Sequence, residues 1–228
     1  MVFLFDIDGT LLNGNGVGRR SIDAALRDLY GRSFDFSDIP FSGKTDPLIF
    51  GEILRAAPEH GLDAEDTPEQ RHALTSRYEE EMHRVLPDAA VDVLDGGREL
   101  VHRFAADGTP VGLLTGNLRS MAAAKVERID LPMSLFPFGA YGSDAEDRDH
   151  LPPVAAERAA AHLGREVPHE TLVIVGDTPR DVQCAHAVGA RCVAVTTGHF
   201  DADALHDAGA DAVLDSLDDW DSVGWLTA

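Results

Sequence analysis

The sequence predicts an α/β fold in which a parallel sheet, covered by helices on both faces, is interrupted after its first strand by an all-helical insert. Three observations predict it. Four short apolar runs, Val2–Phe5, 111–114, 172–175 and 192–195, have the length and continuity of strands buried on both faces. From Val93 onward helical patterns alternate with such runs, the order expected of strands lying parallel. Between the first run and residue 92 the alternation stops, and only helical patterns remain.

The elements follow in order. Val2–Phe5 is the first strand. The insert holds helical stretches over Val17–Tyr30, 45–57 and 67–86. The third opens on Thr67-Pro68-Glu69-Gln70, a capping-box spacing with proline at the first helical position, and carries the stripe Leu74, Tyr78, Met82 and Val85. Loops at 13–16 and 87–92 are the expected hinges, dividing the chain into an α/β unit (1–13 and 92–228) and a helical unit (14–91). Leu100, Val101, Phe104 and Ala105 recur at helical spacing before Gly108 and the strand 111–114. Leu118, Met121, Ala122, Val126 and Ile129 form the next helical stripe, followed by a weaker strand at 138–141. After 172–175 comes the stripe Val182, Ala185 and Val188, closed by Gly189 at the usual C-terminal glycine position. The strand 192–195 and an edge strand Ala212–Leu214 complete the sheet.

Composition narrows the function. The 228 residues carry a formal net charge of -21, from 40 acidic and 19 basic side chains. Nucleic acid binding needs a basic face and is not expected. Only Lys44 and Lys125 are lysines, against 17 arginines, and Asp outnumbers Glu 27 to 13. That bias reads either as a solvated acidic surface in a host with arginine-biased codons or, the sharper reading, as adaptation to high salt, in which the self-repulsion of an acidic surface is screened. No basic, apolar leader and no membrane-length apolar run is present, so a cytoplasmic protein is expected. Cys184 and Cys192 form no paired motif and are expected to be core thiols.

Ligands of open parallel sheets bind beyond the carboxyl ends of the strands. Asp6, Ile7, Asp8, Gly9 and Thr10 follow the first strand, Thr115, Gly116 and Asn117 follow the second, and Gly176, Asp177, Thr178, Pro179, Arg180 and Asp181 follow 172–175. Arg148 lies beyond the weak strand. One such residue is commonly only a helix cap. Several carboxylates crowded at one sheet edge repel each other, and a cation resolves that; Asp6 and Asp177 offer the hard oxygens magnesium takes, whereas no histidine or cysteine spacing suits zinc. Of two carboxylates at i and i+2, one can attack as nucleophile while the other handles the proton. Arg148, permanently charged and able to fork onto two phosphate oxygens, and the Thr115 hydroxyl would offset the charge of a phosphoryl group.

DIDGT at 6–10, LLTGN at 113–117 and VGDTPRD at 175–181 resemble motifs one, two and four of the haloacid dehalogenase superfamily, in order and spacing over nearly the whole chain. The helical insert resembles that family's C1-type cap, and the nearest likeness is to its phosphoglycolate phosphatase-like branch. The resemblance implies a Rossmann-like core and a magnesium-dependent phosphatase acting on a small phosphorylated metabolite, as a monomer or homodimer. It implies Asp6 as nucleophile forming an aspartyl-phosphate, and Asp8 as acid then base, its backbone carbonyl also a metal ligand. Asp6 and Asp177 would be the side-chain ligands, and Asp181 would hold a metal-bound water or position a neighbour. Thr115 with the Gly116 and Asn117 amides would grip the phosphoryl group.

The family's third motif is usually a lysine. Here Arg148 is the expected equivalent, with Lys125 the rival; Lys125 sits within the helix of the Leu118–Ile129 stripe and reads first as a helix anchor. Asp8 argues against dehalogenase and phosphonate-cleaving chemistry. A mutase of the β-phosphoglucomutase kind keeps both acids and stays as the alternative; a receiver-like signalling module is remote. In the insert, Gly43, Lys44 and Thr45 read as a substrate-facing loop, an inward Lys44 suiting an anionic leaving group. The competing reading is a plain helix start with Asp46 as N-cap. His199 reads as a surface histidine, and Trp220 and Trp225 as packing or surface anchors.

Overall fold

Two residues alternating with two others set the sheet's two faces. In β1 (Val2–Phe5), Phe3 and Phe5 point to one side and Val2 and Leu4 to the other, all four buried. The structure, a computed structural model, describes residues 1–226. After β1 come β2 (Leu12–Asn13), α1 (Val17–Tyr30), α2 (Asp46–Ala56), α3 (Pro68–Val85) and β3 (Asp92–Val93). Then follow α4 (Gly97–Ala106), β4 (Val111–Thr115), α5 (Arg119–Glu127), β5 (Gly139–Tyr141) and α6 (Leu151–Leu163). The chain continues through β6 (Leu172–Gly176), α7 (Pro179–His186), β7 (Arg191–Val195), α8 (Ala202–Asp207) and β8 (Ala212–Leu214).

Six strands pair in the order β5-β4-β1-β6-β7-β8, all parallel. β1 is central, with Phe5 opposite Leu113 on one side and Val175 on the other. That register brings the ends of β1, β4 and β6 level, so that Asp6, Thr115 and Asp177 emerge side by side. The Phe3 face packs on α4 and α5 with Trp220, whose ring meets Phe3 and Phe104 edge-on at 5.5 Å each. The Val2 face packs on α6 and α7 and holds both thiols, fully buried; burial pushes Cys184 up to about 12. Trp225 packs against the Phe3-face core and stacks under the Arg191 guanidinium at 4.6 Å.

The insert has its own apolar core, in which Ile22, Phe50, Ile53, Leu74 and Met82 interlock. Leu118 and Met121 at the start of α5 join that cluster and fasten it to the sheet layer. One element was not foreseen. β2 and β3 pair antiparallel, Leu12 with Val93 and Asn13 with Asp92, tying the two crossings between sheet and insert together. Each strand is two residues long, too short to leave a periodic signature, and its partner is distant in the chain. Thr45, not Asp46, caps α2: its hydroxyl accepts from Leu48 N at 3.3 Å, and Asp46 occupies the first helical position. Among the described residues no helix is long and apolar enough to cross a membrane.

Candidate active site

Asp6 directly follows β1, its amide donating to Val175 O at 2.8 Å, and is buried. The chain then turns back through Gly9, whose φ of 82° is a left-handed value glycine adopts freely. A Cβ at Gly9 or at Gly198 would collide with the Asp177 carboxylate, so these two glycines form the slot that holds it. Asp177 has one hydrogen bond among the described residues, a long one from the Thr10 hydroxyl at 3.5 Å. Burial, with Asp181 and Asp6 close by and Arg148 opposing, pushes its pKa up to about 9. Burial likewise raises that of Asp6, against the pull of Arg148.

Asp181 is placed by the first turn of α7. Thr178 caps that helix, accepting from Asp181 N, while the Thr178 amide and hydroxyl donate to Asp181 Oδ2 at 3.0 and 2.7 Å. Its Oδ1 accepts a short bond from Arg148. Asp6, Asp177 and Asp181 each offer an oxygen within 4.8 Å of the others. The donor chemistry suits a hard divalent cation, and the under-partnered Asp6 and Asp177 are the oxygens left to bind one. Asp181 already spends its oxygens on Thr178 and Arg148, which fits a supporting position.

Arg148 sits in a 3-10 turn, Arg148–His150, capped by Asp147. Its Nη2 bonds Asp6 Oδ2 at 3.0 Å and also reaches Asp181, and its buried Nε has no hydrogen-bond partner among the described residues. It thus bridges Asp6 and Asp181. Lys125 departs from the reading of a helix anchor. Its side chain is 6% exposed, and its ammonium donates to Asp8 Oδ1 and Oδ2 at 2.8 and 2.7 Å and to Asn117 Oδ1 at 2.6 Å. The helical stripe carried the stem inward; the missing signal was that position 125, one turn past Met121, faces the strand ends rather than the apolar layer. Both cations therefore belong to the site, one behind Asp6 and one beside Asp8.

Asp8 is half-exposed and its carboxylate, held by Lys125, is not part of the Asp6–Asp177–Asp181 group, which leaves its main chain for the expected metal contact. Thr115 is buried, and its Oγ accepts from Asn117 N at 3.3 Å and Nδ2 at 2.8 Å. The Asn117 amide is therefore spent within the loop, while Nδ2 also donates to Asp8 at 2.8 Å.

The insert loop closes on this edge. Gly43, with φ 70°, lies against Thr178 and Arg180; a Cβ there would come 2.7 Å from Thr178 Oγ. The Asp46 amide donates to Gly116 O at 2.8 Å, and Asp46 Oδ2 accepts from Leu118 N at 2.9 Å. Sequence reasoning considered Asp46 only as a helix cap, because its partner lies in the other half of the chain. Thr45 turns away from the cavity to donate to Glu146 O at 2.6 Å. Lys44 lines the cavity, but its ammonium is bound to both oxygens of Glu52, at 2.8 and 2.5 Å, so the free inward cation that was expected is already paired. His199 is exposed at the cavity rim. The enclosed space between sheet edge and insert is about 450 Å³, within the ordinary range for small-molecule sites.

Comparison with known proteins agrees with this geometry. Residues 1–189 match the model of the haloacid dehalogenase-like hydrolases. The chain is 29% identical to the validoxylamine A 7'-phosphate phosphatase of Streptomyces hygroscopicus subsp. limoneus, over 98% of each protein. It is 28% identical to the phosphoglycolate phosphatase of Rhodospirillum rubrum, over 95% of this chain and 89% of that one. In fold it is similar to the "predicted phosphoglycolate phosphatase" of Haemophilus somnus 129pt, with a TM-score of 0.76 at 17% identity, covering 98% and 97% of the two chains. An α/β sheet with an inserted helical cap, acids at the ends of two neighbouring strands and a family match over most of the sequence lead to one conclusion: the chain belongs to the haloacid dehalogenase-like hydrolases.

Proposed function

We propose that this hydrolase is a magnesium-dependent phosphatase that cleaves a small phosphomonoester through an aspartyl-phosphate on Asp6. The enzyme is a phosphatase; the finer terms of the reading are the metal, the intermediate and the roles of the residues. One observation carries it. Asp6 lines the cavity buried among carboxylates and bonded by Arg148, and Asp8, two residues on, lines the same cavity half-exposed and outside that carboxylate group. Nucleophile and proton carrier are thereby separated.

Asp6 would attack phosphorus as the bond to the leaving oxygen breaks, and Asp8 would give that oxygen its proton. Asp8 would then take a proton from the water that attacks the aspartyl-phosphate, releasing phosphate and restoring Asp6. Asp6, Asp177 and the Asp8 main-chain carbonyl would hold magnesium, which when bound neutralises the phosphoryl oxygens and polarises them toward attack. Arg148 and the Thr115 hydroxyl would orient the phosphoryl group, with the Gly116 amide beside them. Residues 14–91 would act as the cap that excludes water, over a core of 1–13 and 92–228.

The test is phosphate release from a panel of esters that includes 2-phosphoglycolate and p-nitrophenyl phosphate, with and without magnesium, beside Asp6→Asn. Release that requires magnesium and disappears in Asp6→Asn supports the reading. Phosphate transferred between sugar positions with no net release would select the mutase instead. Release undiminished in Asp6→Asn contradicts the proposal.

A further inference from the structure

The cavity's charged groups are already spoken for, and its free hydrogen-bonding groups are neutral. Four cations line it. Arg148 serves Asp6 and Asp181, Lys125 serves Asp8, and Lys44 is bound at both oxygens of Glu52. Arg19 is held by two main-chain carbonyls, Phe36 O at 2.7 Å and Ile39 O at 2.9 Å, with its plane 3.9 Å from the Phe41 ring. None of these is left as a free fork for a second anion.

Other groups are free. Tyr78 is 2% exposed, and its hydroxyl, beside Gly18, has no hydrogen bond among the described residues. Since Tyr78 and Gly18 both line the cavity, that hydroxyl opens into it. Ser42, also lining it, has a hydroxyl with no partner among the described residues. A hydroxyl that opens into the cavity without a protein partner is available to bond a ligand group that enters it. The cavity, about 450 Å³, is also far roomier than a phosphoryl group with a two-carbon tail requires.

We infer that the leaving group is an uncharged polyhydroxyl compound of ring size, a sugar or cyclitol phosphate, and not a short carboxylate such as phosphoglycolate. The inference rests on the phosphatase reading and deepens it. Hydroxyls of such a leaving group would meet Tyr78 and Ser42. A carboxylate would meet the Lys44–Glu52 pair as a neutral wall and would have to break that pair to gain a cation. A site built around neutral hydrogen bonds discriminates strongly against a partner that leaves them unmade.

The experiment compares kcat/KM for glucose 6-phosphate, myo-inositol 1-phosphate, 2-phosphoglycolate and p-nitrophenyl phosphate. The wild type is expected to prefer at least one of the two polyol esters to 2-phosphoglycolate by about tenfold or more. Glu52→Gln frees the Lys44 ammonium and should narrow that ratio by roughly three- to tenfold, through a gain on 2-phosphoglycolate. Tyr78→Phe should lower the ratio of polyol ester to p-nitrophenyl phosphate by roughly two- to tenfold. Turnover of p-nitrophenyl phosphate with 2-phosphoglycolate as the best natural ester would overturn the inference and leave the phosphatase reading standing. A ratio unmoved by both variants would overturn the roles given to the pair and the hydroxyl. Turnover of no ester at all would overturn the phosphatase reading and this inference with it.

Discussion

Lys125 holds the Asp8 carboxylate by both oxygens, at 2.8 and 2.7 Å, and closes a ring through Asn117, which bonds both of them. The proton carrier of the proposed reaction is thereby fixed away from the nucleophile and toward the leaving-group side of the cavity. Lys125→Met should lower kcat about 10- to 100-fold on alkyl phosphates, whose leaving oxygen needs a proton, and much less on p-nitrophenyl phosphate, which leaves without one. Lys125→Arg should recover part of the loss. An equal loss on both ester types would assign Lys125 to phosphoryl binding.

Asp177 lies in a slot between two glycines with one long hydrogen bond. Its substitution by Asn should abolish phosphate release. Magnesium is expected to raise the melting temperature of the wild type, since binding to the folded state alone raises stability, and Asp177→Asn should abolish that rise. An unchanged magnesium-induced shift in Asp177→Asn would place the metal elsewhere.

Asp46 is the carboxyl through which the insert meets the loop after β4, and burial raises its pKa from 3.8 to about 6, partly offset by Lys125 and the Leu118 amide. Between those values the folded protein binds the extra proton, so this group makes stability fall as pH rises through about 4 to 6. Asp46→Asn keeps an acceptor for Leu118 and removes the charge. Its stability in urea should exceed the wild type's by about 1–3 kcal/mol at pH 8, a gap that closes as pH falls below the carboxyl's ordinary range. A gap independent of pH would contradict the assignment.

Gly116 sits so close to the insert that a Cβ would collide with the Lys44 carbonyl. Gly116→Ala should hold the insert away from the sheet edge, lowering kcat/KM about tenfold or more. It should also speed proteolysis near the hinges at β2 and β3. Wild-type kinetics in Gly116→Ala would show that closure at this contact is not needed.

The net charge of -21 predicts that the melting temperature rises between about 0.1 and 2 M KCl, as screening removes self-repulsion. A fall over that interval would reject adaptation to salt.

The sheet was legible because buried parallel strands are continuous apolar runs, and β1, β4, β6 and β7 each appeared within a residue of their observed ends. The cap helices were legible from Thr67 and Pro68 at one start and from the Tyr78–Met82 stripe. β2 and β3 were not, since two-residue strands carry no period. The strand-end acids were legible because parallel sheets bring their carboxyl ends together. What sequence could not give was which polar groups meet across the insert. Asp46 with Leu118, Lys44 with Glu52 and Lys125 with Asp8 pair residues whose contacts depend on how α2 and α5 face the cavity. Tyr78 was read correctly as part of an apolar stripe, yet the same ring carries its hydroxyl through to the cavity.

The central claim, that Asp6 carries the phosphoryl group, is tested most directly by acid-quenching the enzyme during turnover of a radiolabelled ester and mapping the label. The account predicts a hydroxylamine-sensitive label on the peptide containing Asp6, formed with magnesium and absent in Asp6→Asn. Steady phosphate release with no label on that peptide, undiminished in Asp6→Asn, would contradict it.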